Sequence, residues 1–164
     1  MRGSSGAKII RLPVWKGFHS RQGSPKVNAF LAMTQRAAMD GYILIVDDDP
    51  DYREFVAEAL KGIGYPAREA ENGKVALEML EDRLPALVLL DLKMPVMSGW
   101  AVLEALKNMP RAQGIPVLVI SAYGFEWEAE LVNAAGYIGK PVDIEVLREK
   151  VHSLIGAPKP QLLH

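Results

Sequence analysis

The sequence predicts an α/β domain: a five-stranded, doubly wound parallel sheet with helices on both faces. Three observations carry this expectation. Short runs of aliphatic residues (Ile43-Leu44-Ile45-Val46, Leu87-Val88-Leu89-Leu90, Val117-Leu118-Val119-Ile120) are apolar throughout rather than alternating, as strands buried on both faces are. Stretches with helical spacing separate them, which calls for crossover helices between parallel strands. Each run also ends in a residue with chemistry: Asp47-Asp48-Asp49, Asp91, Ser121 and, after Tyr137-Ile138-Gly139, Lys140-Pro141. In an open parallel sheet the carboxyl ends of the strands share one edge, where ligands bind.

The elements follow in order from Tyr42. The strand at 43–46 leads into a helix from about Pro50 to Gly62. Proline suits a first helical turn, Asp49 caps it, and Phe55, Val56, Ala59, Leu60 and Ile63 form its apolar stripe. Gly64 closes that segment, and a short strand near Ala67–Ala70 runs to an Asn72-Gly73 turn. The next helix, near Lys74–Asp82, carries Val75, Leu77, Met79 and Leu80. Pro85 precedes the strand that ends at Asp91. Gly99 opens a helix through about Asn108 with Val102, Leu103 and Leu106 inward, and Pro110 and Gly114 break the chain before the fourth strand. A helix near Phe125–Asn133 is expected before the fifth strand. Asp143 caps the last helix, with Val146, Leu147, Val151 and Leu154 as its stripe and Gly156 at its end.

Composition bounds the function classes. The 164 residues are 49% hydrophobic and 24% charged, ordinary for a soluble globular domain. No apolar run reaches the length of a membrane span, and the N-terminus has no apolar signal region. The chain has no cysteine, which excludes disulfides, thiolate metal sites and cysteine nucleophiles; a cytoplasmic location is the simplest expectation. The net charge of −1 is unevenly divided. Residues 1–41 hold seven Lys/Arg against one Asp, and residues 42–164 hold twelve against nineteen Asp/Glu. The acidic main domain argues against nucleic-acid binding by its body. Residues 1–41 read as a disordered basic extension or as sequence upstream of the true start, with one weak helix at 27–39; residues 157–164 read as a tail.

Asp47, Asp48 and Asp91 are expected on one sheet edge. Clustered carboxylates repel unless a cation compensates them, and a hard divalent ion such as Mg²⁺ fits carboxylates together with phosphate oxygens and water. Lys140 adds an ammonium and Ser121 a hydroxyl. A carboxylate nucleophile, a metal, an ammonium and a hydroxyl are the parts needed to accept a phosphoryl group. If Lys140 stands alone in the cleft, its desolvation is costly, and its removal should leave stability near wild type. Other sites fail. Gly73-Lys74 lacks the upstream glycine of a phosphate-binding loop, which is Arg68, and Val75 follows the lysine. His19, His152 and His164 make no metal or triad pattern. Phe125 and Trp127 read as parts of one helix rather than a cofactor box.

The motifs ILIVDDD, LVLLDLKMPVMSG, VLVISA and YIGKP, in this order, resemble the receiver domain of bacterial two-component response regulators over about Tyr42 to Gly156. The resemblance implies a flavodoxin-like fold and a phosphoprotein of two-component or phosphorelay signalling. Asp91 is the implied phosphoacceptor, with phosphate coming from a histidine kinase or histidine phosphotransfer protein and Mg²⁺ as cofactor. It implies that Asp47 and Asp48 are the acidic pair, with Asp48 a direct Mg²⁺ ligand, and that the Lys93 backbone carbonyl is a further ligand. Ser121 and Tyr137 match the switch pair and Lys140 the phosphate-binding lysine, with a cis Lys140-Pro141 peptide. Two departures stand out. Lys140 follows Ser121 by 19 positions, about three fewer than the family pattern, so the helix at Phe125–Asn133 lacks roughly one turn. No output domain follows Gly156, as in stand-alone receivers, and a monomer is expected because relatives dimerise through the face this helix forms. Two rivals remain: a binding module that signals without phosphorylation, and a hydrolase with an aspartyl nucleophile. The phosphatases that use one carry a second carboxylate two residues on, where this chain has Lys93.

Overall fold

The computed structural model describes residues 41–122 and 134–158. The basic extension, the helix expected at Phe125–Asn133 and most of the tail lie outside these residues. The elements are β1 (Ile43–Val46), α1 (Pro50–Gly62), β2 (Ala67–Ala70), α2 (Gly73–Asp82), β3 (Leu87–Leu90), α3 (Gly99–Lys107), a 3-10 turn (Pro110–Ala112), β4 (Val117–Ser121), β5 (Gly136–Gly139) and α4 (Ile144–Ile155). All strand pairs are parallel, in the order β2-β1-β3-β4-β5. The chain reverses its direction of travel across the sheet between β1 and β3, the place where a crevice opens beyond the strand ends.

The helices start where side-chain oxygens meet orphan backbone donors. Asp49 Oδ1 accepts from the amides of Asp51 and Tyr52 at 3.0 and 3.2 Å. Asn72 Oδ1 accepts from Val75 at 3.0 Å, and Asp143 Oδ1 from Glu145 and Val146 at 2.8 and 3.2 Å. The Asn72-Gly73 turn expected from sequence is therefore also the start of α2.

Alternation along the strands divides the core in two. Leu44, Val46, Val88, Leu90 and Val119 pack with Ala76 and Leu80 of α2 and Val102, Leu103 and Leu106 of α3. Ile43, Ile45, Leu87, Leu89, Leu118, Ile120 and Ile138 pack with Val56 and Leu60 of α1 and Leu147 and Val151 of α4. The stripes of α1 and α4 are narrower than their sequences suggest. Phe55 and Val146 are exposed. Each sits next to the buried i, i+4 pair of its helix (Val56/Leu60, Leu147/Val151), one 100° step off the sheet-facing line.

Past β3 the chain turns back sharply on itself. Val96 adopts φ 68°, a left-handed conformation that is an outlier for a β-branched residue. The Gly99 amide donates to Leu92 O at 3.1 Å, and a Cβ on Gly99 would collide with the Asp91 carbonyl oxygen and stand 2.8 Å from Leu92 Cα. Backbone, rather than a flexible side chain, blocks the position, so α3 can start against Asp91 only with glycine there. Gly99→Ala should destabilise the domain by about 2 kcal/mol or more, measured by urea unfolding. Gly62→Ala is the control: nothing lies within 4 Å of its Cβ, and it should be neutral or stabilising by up to about 1 kcal/mol.

Candidate functional site

Strand register builds the site. Val46 pairs with Leu90, so the next residues, Asp47 and Asp91, stand side by side where β1 and β3 end. Ser121 pairs with Gly139, which sets Lys140 just beyond Ser121. The backbone ladder continues to this edge: the Asp91 amide donates to Val46 O at 2.9 Å, the Asp47 amide to Ala70 O at 3.2 Å, and the Lys140 amide to Ser121 O at 2.9 Å. Asp47 and Asp91 continue the alternation of Ile43/Ile45 and Leu87/Leu89, the face covered by α1 and α4. Their relative exposures are only 2% and 6%.

Carboxylate oxygens of Asp47, Asp48 and Asp91 lie within 4.8 Å of one another. Asp48 is exposed, so the group has a wet side from which an ion could enter. Lys140 crosses the cleft from β5. Its Nζ donates to Asp47 Oδ2 at 2.6 Å and lies 3.7 Å from Asp91 Oδ1. Asp47 Oδ1 accepts the Asp49 amide at 3.0 Å. Burial pushes the Asp91 carboxyl up to about 6; Lys140 pulls it back, and the neighbouring Asp47 and Asp48 charges add to the rise. Ser121 is 1% exposed at the end of β4, and its backbone carbonyl also accepts the Tyr137 hydroxyl at 3.0 Å. Lys93 lies exposed two residues past Asp91. The Lys140-Pro141 peptide is cis.

Two residues at the site were not singled out from sequence, both in the first turn of α1. Arg53 Nη1 donates to the Asp47 carbonyl at 2.7 Å, and its Nε is 3.4 Å from Glu69 Oε2, too long and poorly aligned for a good hydrogen bond. It ties the end of β1 to β2. Tyr52 places its ring 4.3 Å from Lys140 Nζ. Burial, then the charges of Asp47 and Asp91, push its phenol up to about 12, so it stays neutral. Its hydroxyl makes no hydrogen bond of normal geometry among the described residues, although the Val142 backbone is near enough to temper that rise. The available signal was positional: a helix capped by Asp49 must lay its first turn against the acidic pair.

The family described as response regulator receiver domain matches residues 43–152. The chain belongs to that family. Among curated relatives, sporulation initiation phosphotransferase F of Bacillus subtilis is 35% identical over 69% of this chain and 92% of its own length. A probable cyclic di-GMP phosphodiesterase of Vibrio cholerae is 36% identical over 77% of this chain, but the match spans only 29% of that protein. Of solved structures, the response regulator protein TrrA of Thermotoga maritima, in complex with Mg²⁺-BeF, superposes with a TM-score of 0.63 at 33% identity, covering 70% of this chain and 98% of that one. The receiver fold and the role in two-component phosphotransfer follow for this chain. Among the described residues, no helix is long and apolar enough to cross a membrane.

The three carboxylates fit a divalent metal: hard oxygen donors, close together, with excess negative charge. Lys140 also compensates two buried carboxylates at once, which reverses the expectation that its removal would leave stability unchanged. Lys140→Ala strands Asp47 without its ammonium and should cost about 1–3 kcal/mol in metal-free protein at pH 8. The loss should shrink towards pH 5, where Asp91 takes up a proton. Asp91 itself works the other way. Its folded value near 6 exceeds an unfolded value of about 3.9, so the native state holds a proton that the unfolded chain has released. Stability therefore falls as pH rises between these values. Asp91→Asn should stabilise metal-free protein by about 1–3 kcal/mol above pH 7 and make no difference below pH 4, as read by urea unfolding in chelator across that range.

Proposed function

We propose that residues 42–156 form a receiver in which Asp91 is the phosphoacceptor, charged by a phosphohistidine on a histidine kinase or histidine phosphotransfer protein. The observation that carries this is the convergence of Asp47, Asp48 and Asp91 within 4.8 Å, with Lys140 Nζ between two of them. An Asp91 carboxylate oxygen attacks phosphorus, the P–N bond breaks, and its electron pair returns to the imidazole. The product is an aspartyl phosphate, which water later hydrolyses. The chain is thus a signalling phosphoacceptor with its own phosphorylation and dephosphorylation chemistry rather than an enzyme acting on an independent substrate.

Asp48, Asp91 and the Lys93 carbonyl would hold Mg²⁺, with Asp47 acting largely through water. When bound, Mg²⁺ supplies positive charge opposite the phosphoryl oxygens, where charge is spread in the transition state. Lys140 provides a second positive charge from the protein itself and passes from Asp47 to a phosphoryl oxygen. The Ser121 hydroxyl donates to another, and Tyr137, bonded to the Ser121 carbonyl, follows by turning its ring inward. That paired movement is the signal read by a downstream protein. The family match and the Mg²⁺-BeF complex of the Thermotoga relative support this reading, and the intact acidic pair with Lys140 disfavours a receiver that signals without phosphate.

The protein acts as a monomer on a heterologous partner, not on nucleic acid through its acidic body. The separation of 19 positions between Ser121 and Lys140 leaves less chain for the face that relatives pair across a two-fold axis.

Acetyl phosphate with Mg²⁺ should add one base-labile phosphoryl group, seen by intact mass. The adduct should vanish in Asp91→Asn and with chelator, and Asp48→Ala should weaken metal binding most. An unchanged adduct in Asp91→Asn would refute the assignment. Light scattering of beryllofluoride-treated protein at micromolar concentration should give the monomer mass; a stable activated dimer would overturn the monomer assignment.

A further inference from the structure

The phosphotransfer reading leaves Tyr52 without a role, yet its ring is among the groups nearest the Lys140 ammonium. Nζ stands 4.3 Å from the ring centroid, well inside the range of about 6 Å over which an aromatic face attracts a cation. An ammonium has three donors. One meets Asp47 Oδ2 at 2.6 Å, and Asp91 Oδ1 is 3.7 Å away. The lysine side chain is 19% exposed, so little of it is left to water. Among the described residues, the buried Tyr52 hydroxyl has no hydrogen bond of normal geometry. What the residue offers the site is therefore its ring face. Alternation places it there: Asp47 and Asp91 face the α1 side of the sheet, and α1 begins immediately after the acidic pair.

Resting on that reading, we propose that Tyr52 is a positioning residue: its ring seats the Lys140 ammonium in the cleft. The cation can then pass from Asp47 to a phosphoryl oxygen on Asp91 without escaping to water. Lysine is a strongly hydrated charge on a flexible four-carbon stem. Its bond to Asp47 is short and directional, and must be given up when negative charge grows on the phosphoryl group. A π face attracts a cation over a broad area in several orientations, so it holds the ammonium before, during and after the move. An aliphatic side chain of similar size would fill the space without attraction. A carboxylate or amide would compete with the phosphoryl oxygen for the same donors.

Substitutions that separate ring from volume provide the test. Tyr52→Phe keeps the ring; Tyr52→Leu and Tyr52→Met remove it, and the flexible Met guards against a packing failure in the Leu variant. In metal-free, unphosphorylated protein, the ε-methylene protons of Lys140 should show an upfield ring-current shift by NMR. This shift should persist in Tyr52→Phe and disappear in both aliphatic variants. The initial rate of Asp91 phosphorylation by acetyl phosphate at saturating Mg²⁺ should fall about threefold to tenfold in the aliphatic variants, with Tyr52→Phe restoring it. Thermal unfolding confirms that the compared variants are folded. A wild-type rate in a folded Leu or Met variant overturns the proposal. So does a Phe variant as slow as Leu, which would give the role to the hydroxyl, or a Lys140 shift indifferent to the ring. An absent ring shift in a protein that still phosphorylates on Asp91 refutes the seat alone. A wild-type protein that fails to phosphorylate refutes the phosphotransfer reading and the proposal with it.

Discussion

Two carboxylates taken out of water side by side are the expense around which this domain is arranged. Asp47 and Asp91 are almost wholly buried, and neither would tolerate that charge without compensation. Lys140 provides it from the end of β5, 93 residues after Asp47. The compensation is incomplete: burial still outweighs the lysine at Asp91, whose carboxyl rises to about 6. The Asp91 carboxylate is held under electrostatic tension. It is short of positive charge and open to a cation on the Asp48 side.

The rest of the structure serves that arrangement. Parallel pairing of β1, β3, β4 and β5 delivers Asp47, Asp91, Ser121 and Lys140 to one edge, and register delivers them to the same height. Arg53 anchors the backbone of Asp47, and Gly99 lets α3 start against the backbone of Asp91. The Ser121 carbonyl receives both the Tyr137 hydroxyl and the Lys140 amide. A shift at any of these three residues is therefore felt by the other two.

Much of the fold was legible because its elements announce themselves locally. Doubly buried strands have no polar alternation to confuse the reading, and Asp49, Asn72 and Asp143 mark helix starts with oxygens that satisfy orphan amides. Phe55 and Val146 were misplaced inward because apolar identity does not say on which side of a 100° step a residue falls. Which residues pack is settled by the tilt of the helix on the sheet. Tyr52 and Arg53 were passed over because an aromatic and a basic residue in a first helical turn are unremarkable until the neighbours across the sheet are known.

The sequence by itself determined that strands end in Asp47, Asp48, Asp91, Ser121 and Lys140, and that a parallel sheet would gather them at one edge. Those are consequences of periodicity and strand direction, which local chemistry dictates. Only the tertiary structure decided that Lys140 binds Asp47 more closely than Asp91, that Asp48 is the open side of the acidic cluster, and that a tyrosine ring underlies the ammonium. Each depends on distances of a few ångströms between segments far apart in the chain. Electrostatic energies in a poorly solvated cleft change steeply over such distances, so strand assignments alone could not rank them.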